Sequence, residues 1–198
     1  MEQLESQTDE QLFLVFSRGR DDAFEVLVFR HGTGIKAYAQ RLLRNPELAE
    51  DVYVETFARL VRERDNLRPQ GTVRGFLYTI AHNLCISLLR RRKTEREAAP
   101  QLMVIENGQG PQPGADAMAS AAQVAQRLEQ GIASLSYEHR QVLLLRTVHG
   151  LSSRETADVV GLDESQVRSQ LSWARKRLRL FLAHGRPARA VAGSGGQE

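Results

Sequence analysis

The stretch that most restricts the fold runs from Leu135 to Leu182, LSYEHRQVLLLRTVHGLSSRETADVVGLDESQVRSQLSWARKRLRLFL. Its pattern predicts three consecutive helices. Ser152, with Glu155 three residues later, forms a capping box that opens the second helix. Ala157, Val159 and Val160 supply that helix's apolar side, and Gly161 ends it in the left-handed conformation that glycine adopts cheaply. Asp163 opens the third helix, with Gln166 at the capping-box position. Helix, three-residue turn, helix is the spacing that a DNA-reading motif requires.

At 3.6 residues per turn the third helix sorts into two faces. Val167, Leu171, Ala174, Leu178 and Phe181 share the side expected to be core. Ser165, Ser169, Ser172, Trp173 and Lys176 point the other way, flanked by Gln166, Arg168 and Arg175. Arginine pairs with guanine edges, glutamine with adenine, and serine and lysine hold phosphate or base edges, so this face suits a major groove. Trp173 fits that set poorly, and two placements stay open: on the DNA face, or packed against the first helix or the linker. For the basic residues the alternative is an ordinary solvated helix end.

The other segments follow the same helical grammar, and no β-alternation or solenoid repeat is present. Thr8 with Gln11 opens a short apolar helix, and Asp21 or Asp22 is expected to cap the next. That helix carries Gly32 and Gly34, each costing about 1 kcal/mol relative to alanine, so a kink or break is expected there. Asn45-Pro46 is a strong start for a further helix, with Leu48, Ala49, Val52, Tyr53, Thr56, Phe57 and Leu60 inward. Its other side, Glu47, Asp51, Val54, Glu55 and Ala58, mixes acidic and small apolar groups. That suits docking of a basic partner helix, although an acidic helix front would look similar.

Asp65 to Thr72 reads as a loop. Helix 73–92 comes next, with Val73, Leu77, Ala81, Leu84 and Leu88 inward and Thr79, His82, Asn83, Ile86 and Arg90 outward. Phe76 and Tyr78 lie near its edges. Aromatics beside a basic helix face suit stacking on unpaired bases, and core packing is the alternative for both rings. The run Arg90-Arg91-Arg92-Lys93 could hold phosphate or simply complement the helix dipole.

Residues 95–119, rich in Pro and Gly, read as a flexible linker; a short alanine-rich helix (116–132) leads out of it, and 185–198 reads as a disordered tail. The expected fold is all-α: two small helical domains, 1–94 and 120–184, on a tether. Charge is uneven along this division. Residues 1–93 carry 15 basic and 13 acidic side chains, 94–133 carry 2 and 5, and 134–198 carry 10 and 6. The C-terminal unit is therefore the basic one, and its DNA binding would be salt-dependent through counterion release.

No apolar run approaches the ~20 residues of a membrane span, and the N-terminus lacks the layout of a secretory signal, so a cytoplasmic chain without membrane insertion is expected. The single cysteine, Cys85, cannot form an internal disulfide, and the His82/Cys85 pair has no further ligand nearby, so no metal is expected. No nucleophile–base pair or phosphate loop is visible. Neither catalysis nor a cofactor is expected.

With these elements in order, the chain resembles the extracytoplasmic-function group of bacterial sigma factors, initiation subunits of RNA polymerase. NPELAEDVYVETFARL and VRGFLYTIAHNLCISLLRRR carry the resemblance in the first domain, and the helix-turn-helix block carries it in the second. It implies a sigma region 2-like and a region 4-like unit. Glu47, Asp51, Val54 and Glu55 would contact core RNA polymerase. Arg68, Gln70, Thr72, Arg74, Phe76, Tyr78, His82, Asn83 and Arg90 would receive the melted −10 strand of promoter DNA. Ser165, Gln166, Arg168, Ser169, Gln170, Ser172, Trp173, Arg175 and Lys176 would read the −35 duplex. The resemblance further implies an anti-sigma factor as partner and a monomer when free. Departures are Val54 for a common glutamine, Ser165-Gln166 for Gly-Thr, Gln170 for arginine, Trp173 for a polar residue, and Gly32 and Gly34 for bulkier residues. Those at Ser165, Gln166, Gln170 and Trp173 imply a divergent −35 sequence, Val54 an altered polymerase contact, and Gly32 and Gly34 a different packing of the first helices. The competing readings are a helix-turn-helix regulator that acts without being a polymerase subunit, and a sigma-mimicking adaptor that binds only proteins.

Overall fold

The computed structural model describes residues 2–64, 71–98 and 121–184. Their regular structure is helical: α1 (Glu2–Glu5), α2 (Asp9–Ser17), α3 (Asp21–Leu43), α4 (Pro46–Arg62), α5 (Val73–Ala98), α6 (Ala121–Ala133), α7 (Tyr137–Leu143), a π-helical turn (Leu144–Val148), α8 (Ser153–Val160) and α9 (Glu164–His184). No strand occurs among the described residues.

Local chemistry sets most helix starts. Thr8 and Gln11 exchange the two bonds of a capping box at α2. The Asn45 side chain accepts the Leu48 N–H at 2.8 Å, with Pro46 following it as expected. At α3 the expectation fails. Arg20 is the N-cap residue and no side chain caps the helix, because Asp22 is engaged by the Arg20 guanidinium instead.

The break expected at Gly32 and Gly34 is absent, and α3 runs unbroken for 23 residues. Close approach explains both glycines. A Cβ on Gly32 would lie 2.9 Å from Cε2 of Tyr53 on α4, and one on Gly34 would lie 2.8 Å from the Tyr78 hydroxyl on α5. The weak helix propensity is offset by packing that no larger residue permits. Helix α5 also overruns its expected end and continues to Ala98, with Arg91–Glu95 at 2.8 Å and Lys93–Glu97 at 3.8 Å as i,i+4 pairs along the extension.

In the first unit, α2, α3, α4 and α5 surround Leu12, Phe16, Leu27, Ile35, Val52, Leu60 and Leu77, all fully buried. In the second, α6 to α9 enclose Ile132, Leu135, Val142, Leu144, Leu151, Val167 and Ala174. Arg140 is buried at the α6–α7 corner and donates to the carbonyls of Ile132, Ala133 and Leu135. The units are not held apart. α5 packs on α8, α3 touches α7, and one continuous apolar cluster spans both.

Candidate nucleic-acid interface

The helix-turn-helix forms as its residues dictate. Ser152 and Glu155 make the reciprocal capping bonds at 3.1 and 2.7 Å, and Gly161 closes α8 at φ +69°. Asp163 and Gln166 repeat the box at α9, with bonds of 2.8 and 3.0 Å, and Ser165 donates to the Asp163 carboxylate at 2.6 Å. That carboxylate is held below its ordinary range first by the Ser165 bond and then by the Gln166 N–H.

The two faces of α9 separate as expected. Val167, Leu171 and Ala174 are buried; Ser165, Gln166, Arg168, Ser169, Ser172, Arg175 and Lys176 are exposed, and Gln170 is half-buried. Arg168 lies 3.7 Å from Glu164, Arg175 reaches Thr147 at 3.5 Å, and Lys176 has no acidic partner among the described residues. A cleft beside this face is lined by Arg146, Ser153, Arg168, Arg175, Lys176 and Arg179. Arg179 extends the predicted stripe by one turn and was legible from its spacing. Arg146 comes from the π-helical turn, where its bond to the Leu151 carbonyl anchors it, and nothing in the periodicity marks it.

Trp173 settles between its two open placements. It is 43% exposed, yet its ring stacks on His139 of α7 at 3.8 Å, and the Arg177 guanidinium lies 5.2 Å over it. The indole thus fastens α7 to α9 at the edge of the exposed polar face. His139 in turn approaches the Ser136 hydroxyl at 2.6 Å.

On α4, Glu47, Asp51 and Val54 are exposed and Glu55 is half-buried, with Val54 56% accessible. Glu55 accepts from Arg59 at 2.9 Å and Arg62 at 2.6 Å, so its charge is partly spent within the helix. Helix α5 departs most from expectation. Asn83 and Arg90 are exposed and Phe76, Arg74 and Thr79 half-buried, but Tyr78 and His82 are only 3% and 4% exposed. They turn inward because partners wait there. The Tyr38 hydroxyl sits 2.9 Å from His82 Nδ1, and the Tyr78 hydroxyl sits 2.8 Å from Nδ1 of His149 in the second unit. Burial alone pushes the His82 imidazole down to about 4, and burial pushes the Tyr78 phenol up to about 12, so both are neutral. Cys85, next along the same helix, is buried with its thiol pushed up to about 12 and is inert. Thr72 is exposed; Arg68 and Gln70 lie outside the described residues, as do 99–119 of the expected linker and the 185–198 tail.

A basic helix-turn-helix unit with an exposed polar face, packed on a helical unit with an acidic outer helix, defines a two-unit helix-turn-helix protein. The Sigma-70 region 2 model matches residues 27–95 and the Sigma-70 region 4 model matches residues 125–178. The ECF RNA polymerase sigma factor SigL of Mycobacterium tuberculosis is 31% identical over 161 residues, 77% of this chain and 84% of SigL. SigE of Mycolicibacterium smegmatis is 32% identical over 162 residues; the match takes in 81% of this chain but only 62% of SigE's length. Among solved structures, CnrH in complex with the cytosolic domain of CnrY superposes with a TM-score of 0.63 at 26% identity, covering 88% of this chain and 97% of CnrH. The chain belongs to the sigma-70 family, in its ECF group.

Proposed function

We propose that the chain binds core RNA polymerase and directs promoter-specific initiation, with α9 reading the −35 duplex and the α5 region holding the separated −10 strand. The exposed row Ser165, Ser169, Ser172 and Lys176 on α9, which the Asp163/Gln166 box opens, carries this reading. Family membership supports the polymerase partner, and the exposed Glu47, Asp51 and Val54 offer the docking face on α4. Arg68, Gln70, Thr72, Arg74, Phe76, Asn83 and Arg90 are the strand-holding set, drawn from the loop before α5 and from α5 itself, while the enclosed Tyr78 and His82 act from beneath it as packing.

The mechanism is binding energy spent on opening DNA, with no covalent step by this chain. Extruding a base costs a few kcal/mol, and a stacking surface returns about 1–3 kcal/mol per base. The setting is the cytoplasm, where promoter DNA and polymerase are; among the described residues no helix is long and apolar enough to cross a membrane. A protein inhibitor of the anti-sigma kind is the further partner. The CnrH neighbour, solved with a bound protein domain, supports it.

Run-off transcription with purified core polymerase on a genomic fragment library tests the function. Discrete transcripts that need both components are expected; a palindromic footprint by the chain alone would instead favour a dimeric regulator. Asn83→Ala or Phe76→Ala should impair strand opening, read by permanganate reactivity, more than duplex docking. Equal loss of both steps would contradict the division between α5 and α9.

A further inference from the structure

Trp173 stands where the polar row of α9 meets α7, and its π surface is already in use. His139 of α7 lies against the ring with centroids 3.8 Å apart and planes within 22° of parallel, and the Arg177 guanidinium lies 5.2 Å over it. The start of α7 is arranged around the imidazole. Ser136 is the N-cap residue but makes no capping bond, and its hydroxyl sits 2.6 Å from His139 Nδ1 instead. A serine in that position ordinarily accepts a backbone N–H two or three residues on, so this helix start gives up a cap and holds a ring still. With Nδ1 engaged, Nε2 is the ring nitrogen left without a protein partner among the described residues.

The polar groups of this corner are the imidazole Nε2, the indole N–H and the Arg177 guanidinium. When the Ser136 hydroxyl donates to Nδ1, the imidazole proton sits on Nε2 and all three are donors. Donors alone suit an anion with several acceptor oxygens. Their place on the fold narrows the anion. Trp173 and Arg177 are one helical turn apart on one side of the row Ser165, Ser169 and Lys176. Arg168, Arg175 and Arg179 lie on its other side, where they line a cleft with Arg146. A helix lying in a major groove has a phosphate chain at each side. The cleft serves one chain, and the corner stands where the other would pass. Glu138 opposes such a contact, but burial first, and Arg177 with it, hold the imidazole below its ordinary range against the pull of that carboxylate.

We propose, resting on the reading of α9 as the helix that enters the −35 duplex, that His139, Trp173 and Arg177 form a phosphate-holding edge for the DNA strand opposite the one served by the cleft. His139 is then a DNA contact contributed by α7, outside the helix-turn-helix, and Trp173 is its support rather than a reader of bases. The edge positions α9 in the groove and adds no sequence preference of its own.

The test uses the full chain with core polymerase and the duplex they select from a random pool, a probe that depends on no transcript being made. His139→Leu keeps an apolar group against the indole and removes the donor, and should weaken binding of that duplex about tenfold. His139→Gln, whose amide offers a donor in place of Nε2, should recover most of the loss. Arg177→Ala should flatten the slope of log K against log salt by about 0.9, one phosphate contact. Single uncharged methylphosphonates are then walked along both strands. At one phosphate the replacement should weaken wild type about tenfold and leave His139→Leu unmoved, because both changes remove the same contact. Arg179→Ala should show that indifference at a phosphate of the other strand. The selected sequence should be the same for wild type and His139→Leu. Parallel losses in both proteins at every phosphate, indifference of both variants on the same strand, or a changed base preference in His139→Leu would overturn the proposal. Selection of no duplex at all would overturn it together with its premise. Coupling at one phosphate of a duplex that directs no transcript would uphold the edge and count against the sigma reading alone.

Discussion

The outer faces of α9 and α5 come from the same helical periodicity, and the structure treats them in opposite ways. On α9 the polar row stands in solvent as spacing requires, with Val167, Leu171 and Ala174 beneath it. On α5 the corresponding row is split: Asn83 and Arg90 are displayed, whereas Tyr78 and His82 are enclosed. Periodicity assigns a side chain to a face of its own unit. It says nothing of what another unit then lays on that face. Small hydroxyls and cations on α9 gain nothing from burial, but a tyrosine hydroxyl and an imidazole on α5 can satisfy each other's polar groups and bury their rings as well.

The comparison breaks most sharply at α9 itself. Val167→Asp places a carboxylate in the core and should cost on the order of 3–5 kcal/mol, melting the second unit early in a thermal scan. Ser169→Asp, two residues away on the displayed face, should leave stability within about 0.5 kcal/mol while weakening duplex binding in a titration. Similar melting for both variants would mean that the faces are misassigned.

Acid probes the enclosed half of α5. Burial depresses His82 and His149 to about 4, from the 6.5 of a solvated imidazole, so both are neutral in the folded chain. For His149 the positive charges of Arg41 and Arg74 add to the effect of burial. Well above pH 6.5 neither imidazole takes a proton in either state, and the two add no pH dependence there. As pH falls through 6.5 toward about 4 the unfolded chain binds protons that the folded chain refuses, so stability falls, by up to about 3 kcal/mol per histidine. Denaturation midpoints followed down this window should drop, and His149→Ala should remove part of the drop. A midpoint unchanged from pH 7 to 4.5 would contradict the enclosure.

The smallest effect sharpens the displayed half. Lys176→Ala should weaken duplex binding evenly across sequences and flatten the slope of log K against log salt by about 0.9, one phosphate contact. A change in sequence preference without a change in slope would make Lys176 a base reader.

Capping and spacing made much of the fold legible beforehand. The boxes at Thr8, Ser152 and Asp163 and the Asn45-Pro46 start are short-range chemistry, so a sequence displays them. Features that depend on partners from distant segments were not legible. Gly32 and Gly34 read as helix breakers because their partners, Tyr53 and Tyr78, are 21 and 44 residues away in the chain. Tyr38 is fully buried at the junction of the units and has no local signature there, and the π-helical turn that brings in Arg146 has none either. On α9 the burial of Val167, Leu171 and Ala174 and the exposure of Ser165, Ser169, Ser172 and Lys176 were readable, whereas the placement of Trp173, whose partner His139 lies 34 residues away, was not.

The division of labour between the units is tested most directly by tethered cleavage. An iron chelate placed on Lys176→Cys or on Asn83→Cys, with buried Cys85 left unlabelled, would cut promoter DNA near its own attachment point in the complex with core polymerase. The expected result is cleavage of upstream duplex from position 176, cleavage of the melted segment from position 83, and neither cut pattern without polymerase. Overlapping cuts from both positions, or the full pattern from the chain alone, would contradict it.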